Sequence, residues 1–157
     1  MRKSVPTRIS ILLAVAWFAA PAAADAPGFA AGGWTHATRM ISAQVPGVPD
    51  FLVRMFAGRG SRTSCLTPQQ ATATPYSLLT QDNAAVCRLR RFNMAGGRYE
   101  YVTFCTNRRF PEGLTIASTG AYTPTTYTIH STATGTKNGK PVRIVTEGDG
   151  RRTGACR

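Results

Sequence analysis

His36 and His130 are the two side chains of this 157-residue sequence whose ordinary pKa lies near neutrality. In a basic chain such a pair suits proton transfer at a phosphodiester. One imidazole takes a proton, the other gives one, and an arginine steadies the charge that builds on phosphorus. That chemistry requires the fold to bring positions 36 and 130 together. On a strand His36 shares a face with Trp34 and Thr38, because side chains alternate with a period of two. His130 stands beside Ile129. The commoner fate of such residues is a histidine on a polar or half-buried strand face.

No other constellation does better. The seven acids, Asp25, Asp50, Asp82, Glu100, Glu112, Glu147 and Asp149, contain no pair at a spacing that implies a dyad, and Glu147 and Asp149 flank Gly148 in what reads as a solvated turn. Four cysteines, Cys65, Cys87, Cys105 and Cys156, include no Cys-x-x-Cys pair, and the histidines are far from them in sequence, which argues against a zinc site. No cofactor motif is present, and the expectation is a protein that is not an enzyme.

Arginine supplies the remaining chemistry. Arg88, Arg90, Arg91, Arg98, Arg108 and Arg109 lie on or beside one hairpin with Phe92, Tyr99 and Tyr101 between them, a set able to contact phosphates or stack on rings. A strand would place Arg88 and Arg90 on one face and Arg91 on the other. The chain carries 19 basic and seven acidic residues, a formal net charge of +12. The cations are spread along the sequence rather than gathered as a nucleic-acid face would gather them, so nucleic acid is not the expected partner; lipopolysaccharide, phospholipid head groups and acidic proteins are the anions within reach of an exported chain.

Export is read from the N-terminus. Arg2, Lys3 and Arg8 precede an apolar run from Ile9 to Ala20, then Pro21 and Ala22-Ala23-Ala24, the pattern of a cleavable signal peptide over residues 1–24. The run is too short for the roughly 20 residues that cross a bilayer, so no transmembrane anchor is expected after cleavage behind Ala24. The mature segment, residues 25–157, has the size of one domain and keeps a charge of +9, since the signal removes three basic residues and no acid. The expected location is the periplasm or the exterior.

In an oxidising compartment four cysteines read as two disulfides. Of the three pairings, Cys65–Cys87 with Cys105–Cys156 is favoured: the first closes a local excursion, and the second ties down the C-terminus.

The elements that must position these groups are mostly strands. Alternating or Thr- and Val-rich runs cover 34–45, 86–94, 99–106, 114–122, 125–134 and 140–148. Gly96-Gly97 and Asn138-Gly139 mark tight hairpin turns. One helix is expected: Thr67 is a good N-cap, Pro68 fits the first helical position, and Gln70 completes a capping box. Pro75 stops that helix near Thr74 or makes it restart around Tyr76 to Leu79, and a disulfide at Cys65 tethers it. Residues 46–62 read as a long loop with Phe51, Leu52, Met55 and Phe56 packed over one end of the sheet. The fold class is mainly β: a single antiparallel domain, as a curved sheet, sandwich or partial barrel, with one short helix near 68–79.

Gly33-Trp34 with Thr38 and Met40, Cys65-Leu66-Thr67-Pro68 opening a helix, Cys87, Gly96-Gly97, Cys105, Gly120, Tyr127 and the closing Arg152-Thr153-Gly154-Ala155-Cys156 together resemble an exported bacterial family, the domain of unknown function 3617. The similarity covers nearly the whole of residues 25–157. It implies a periplasmic β-rich domain with two disulfides and no established activity. The expected function is a non-catalytic envelope binding or accessory role, with a secreted nuclease using His36 and His130 as the alternative.

Overall fold

A computed structural model describes residues 28–56, 59–80 and 86–156. The signal peptide read over 1–24 and its cleavage site lie outside these described residues. In chain order the elements are β1 (Gly32–Gln44), α1 (Asp50–Phe56), β2 (Arg59–Leu66), α2 (Pro68–Ala73), α3 (Ser77–Thr80), β3 (Val86–Ala95), β4 (Arg98–Asn107), β5 (Phe110–Ala121), β6 (Thr126–Lys137) and β7 (Lys140–Gly154).

The strands form one seven-stranded antiparallel sheet in the order β2-β1-β7-β6-β5-β4-β3. β3 to β7 are a simple meander. Its turns carry the residues that tight hairpins need: Gly96 and Gly97 at φ 57° and 73°, and Asn138 and Gly139 at φ 54° and 72°. β1 then pairs with β7, and β2 adds the far edge.

Trp34, Tyr99, Tyr101, Tyr127, Leu66, Leu78, Leu79 and Phe29 form the buried cluster. Trp34 of β1, Leu66 of β2, Tyr127 of β6 and Tyr99 and Tyr101 of β4 all project from one face, here called inner. A flat sheet would separate β2 from β4 by five strand spacings, about 24 Å. β1 and β4 would stand four spacings apart, yet the Phe29 ring packs on both Trp34 of β1, at 5.6 Å between ring centroids, and Tyr99 of β4, at 6.4 Å. The sheet therefore curls, and the segment α2–α3, running from edge strand β2 to edge strand β3, closes the open side: Leu78 and Leu79 are buried, Tyr76 packs on Phe92 at 5.6 Å between ring centroids, and the Tyr101 hydroxyl donates to the Leu79 carbonyl.

The capping box holds as the sequence requires. The Gln70 N–H donates to the Thr67 hydroxyl and the Thr67 N–H to the Gln70 side chain, with Pro68 in the first turn. The helix ends at Ala73 and restarts as α3.

Residues 46–62 are not one loop. They contain α1 and the start of β2, and Phe51 and Met55 are not packed over the sheet but 63% and 68% exposed. β2 was hidden because an edge strand has polar residues along most of its length: in "RGSRTSCL" only Leu66 is buried. Gly148, with Glu147 and Asp149, lies in mid-strand of β7 rather than in a turn.

The disulfides are Cys65–Cys156 and Cys87–Cys105, not the pairing that the sequence favoured. Cys87 and Cys105 face each other across β3 and β4 because of a bulge at Arg90, between the pairs Leu89–Thr103 and Arg91–Val102. With an unbroken register Cys105 would oppose Arg88. The other bridge crosses β1. Gly33 pairs with Cys65 on one side and Gly154 on the other, and the chain after Gly154 passes over Gly33, whose missing Cβ would stand 3.0 Å from the Ala155 carbonyl oxygen. Cys156 thereby reaches the edge strand, and the α2–α3 segment is tethered through Cys65 to the C-terminus instead of to β3.

Candidate functional site

The two histidines do not meet. His36 opposes Gly150 on β7, and Gly150 opposes Tyr127 on β6; His130 opposes Glu147. Odd and even positions of β6 point to opposite faces, so His36 is on the inner face and His130 on the outer one.

His36 is 1% exposed. Its Nδ1 is 2.5 Å from the Tyr127 hydroxyl and its Nε2 is 2.6 Å from Ser64 Oγ, so a neutral ring satisfies both nitrogens, one as donor and one as acceptor. Burial holds its pKa down to about 4, and the Arg62 guanidinium pushes in the same direction. Burial likewise pushes the Tyr127 hydroxyl up to about 12, against the opposing pull of Arg62. Ser64, His36 and Tyr127 have the order of a nucleophile, a base and an orienting group. The third member, however, is a neutral phenol that supplies no negative charge to an imidazolium, and Arg62 on the same face opposes that charge. The arrangement fixes a neutral histidine in the core.

A glycine makes this possible. A Cβ at Gly150 would overlap the Tyr127 ring, which lies across β7 so that its hydroxyl reaches His36. Gly150→Ala is expected to destabilise the fold by about 1–3 kcal/mol and to displace Tyr127 from His36. A crystal structure of the variant with the Tyr127–His36 contact intact would contradict this steric account.

The arginines gather further than alternation allows. The bulge at Arg90 shifts register, so Arg88 faces Phe104 and Arg91 faces Val102 on the outer face of β4, whereas simple alternation opposes them. The Arg90 guanidinium lies over the Phe104 ring, 5.7 Å from its centroid. Phe104 in turn covers Gly113, where a Cβ would overlap the ring. Arg88, Arg90 and Arg91 thus meet around one outer aromatic. Arg91 has an acidic neighbour, Glu100, at 3.8 Å. Arg98 stands at the β3–β4 turn, while Arg108 and Arg109 occupy the β4–β5 turn at the other end.

Sequence reasoning missed a second outer-face row. Arg39 donates to Glu147 at 2.7 Å, and His130 Nδ1 lies 3.6 Å from the other carboxylate oxygen; the hydrogen bond from Arg39 holds the Glu147 carboxyl below its usual range. With Arg59 and Asp149 these residues line an open groove of about 620 Å³. Within it Glu147 pairs with both Arg39 and His130. Only the register of β1, β7 and β6 brings them together, and no spacing within the sequence announces it.

No helix among the described residues is long and apolar enough to cross a membrane. No curated protein and no solved structure matches the chain. Residues 29–156 match the family model described as protein of unknown function (DUF3617), and the chain belongs to that family.

Proposed function

We propose that the protein is an exported, non-catalytic binding protein of the cell envelope that takes an anionic component through the outer face of β3 and β4. The observation that carries this reading is the convergence of Arg88, Arg90 and Arg91 around Phe104 with Glu100, beside Arg91, as the one acid paired with them among the described residues. Guanidinium groups offer paired donors in a fixed plane, which suits phosphate oxygens. Two disulfides and no free cysteine among the described residues agree with an oxidising compartment, and the N-terminal pattern of residues 1–24 supplies the route.

Purified lipopolysaccharide is the probe, compared with the same material after dephosphorylation. The protein isolated from the cell is expected to begin at Asp25 by mass spectrometry and to bind the phosphorylated form in a salt-sensitive way. Arg88→Gln, Arg90→Gln and Arg91→Gln together should weaken binding about tenfold, since each removes a charge-assisted contact. An uncut chain would refute export, and equal binding by the triple variant would refute the site.

A further inference from the structure

Where β1 leaves the sheet and β2 enters it, the molecule gathers bare apolar side chains. Val48, Phe51 and Met55 in and beside α1 are exposed, the last two being one helical turn apart, and Val86 at the start of β3 is 73% exposed. The antiparallel register places all of them at the same end. Gln44 pairs with Arg143, Val86 with Thr106, and the β4–β5 and β6–β7 turns close there. Those turns bring Arg108, Arg109, Lys137 and Lys140, with Arg143 just above. Among the described residues the acids at this end are Asp50, which begins α1, and Glu112, whose carboxylate already accepts from the Thr136 hydroxyl and the Asn138 N–H.

Single exposed apolar residues mean little, but here Ile41, Val48, Phe51, Met55 and Val86, out of six large exposed apolar side chains among the described residues, share one end of one sheet. The sixth, Leu89, lies three residues along β3 from Val86. Bare apolar tips set among cations match an anionic bilayer surface, where the tips enter the head-group boundary and the cations meet lipid phosphate. We propose that this end of the sheet docks onto anionic phospholipid, with Phe51 and Met55 inserting and Arg108, Arg109, Lys137, Lys140 and Arg143 facing the head groups. This deepens the envelope reading and rests on export, but it uses a different surface from the Arg88–Arg90–Arg91 cluster.

Co-sedimentation tests it with the protein as isolated from the cell. Vesicles of phosphatidylglycerol mixed with phosphatidylethanolamine are compared with vesicles of phosphatidylcholine alone. Binding to the anionic vesicles only, weakened by salt, is expected. Phe51→Ser with Met55→Ser should lower it about tenfold, and Lys137→Gln, Lys140→Gln and Arg143→Gln together by about as much or more. Because most of these side chains are exposed, the unfolding midpoint of each variant should stay near that of the parent. Failure to bind phosphatidylglycerol vesicles, or binding indifferent to Phe51 and Met55, overturns the proposal. A loss confined to the Arg88, Arg90 and Arg91 variant overturns it too while leaving the outer-face site standing, and so does retention of an acidic protein by this end in place of vesicles.

Discussion

Cys65→Ala with Cys156→Ala is expected to remove about 4–5 kcal/mol of stability, against about 3 for Cys87→Ala with Cys105→Ala. The difference comes from loop length, because the bridges close segments of 91 and 18 residues and the chain-entropy gain grows with the logarithm of that number. Domains of this size hold only about 5–15 kcal/mol in total, so the loss of the longer bridge takes a large share. Location adds to it. Cys65 sits on β2, which pairs with β1 alone, and β2 carries Leu66 into the core and Ser64 to His36. With the bridge gone, edge strand and helical segment should open together before the meander β3–β7, visible as fast amide exchange over 59–80. Urea unfolding of the two double variants decides the matter. A greater loss from the Cys87/Cys105 variant would show that strand pairing, not loop closure, sets the order.

The second large effect is an acid transition centred on His36. The folded protein holds this imidazole at a pKa of about 4, chiefly through burial, whereas in the unfolded chain it titrates at about 6.5. Between those values the unfolded state binds the additional proton, so stability falls as pH falls from about 6.5 to 4, by about 3 kcal/mol in all. It is fully present above the unfolded value and falls no further, on this account, below the folded one. The physical event is proton uptake by a ring whose two nitrogens face Tyr127 and Ser64, with Arg62 on the same face. His36→Gln removes the titration. Its urea midpoint should vary less between pH 7 and pH 4 than that of the parent, even though the parent is the more stable at pH 7. Parallel pH profiles for the two proteins would show that His36 does not titrate in this window.

Much of the fold is written locally. Gly96-Gly97 and Asn138-Gly139 dictate turns because few other residues accept positive φ. Thr67, Pro68 and Gln70 dictate a helix start because they satisfy its first N–H groups within three residues. The alternation of Tyr99, Tyr101 and Thr103 dictates a half-buried strand. Each signal is complete within a few positions, so the mainly β, antiparallel architecture and most strand positions were legible. Edge strand β2 was not, since a strand with little to bury carries little hydrophobic period. Helix α1 was not, since a seven-residue segment with exposed Phe51 and Met55 resembles a loop.

The sequence alone therefore determined the turns, the helix cap, the period of the strands and the four cysteines available for bridging. Tertiary structure decided which groups meet. A single extra residue at Arg90 moved Cys87 opposite Cys105 and put Arg88 and Arg91 on one face, because a slip of one position in a pleated strand exchanges its faces. Gly150 let Tyr127 cross a neighbouring strand to His36, and sheet order set His36 and His130 on opposite sides. Such outcomes depend on register and on which strand lies beside which, and these are settled by the packing of the whole sheet around Trp34 and the tyrosines rather than by any residue's own preference.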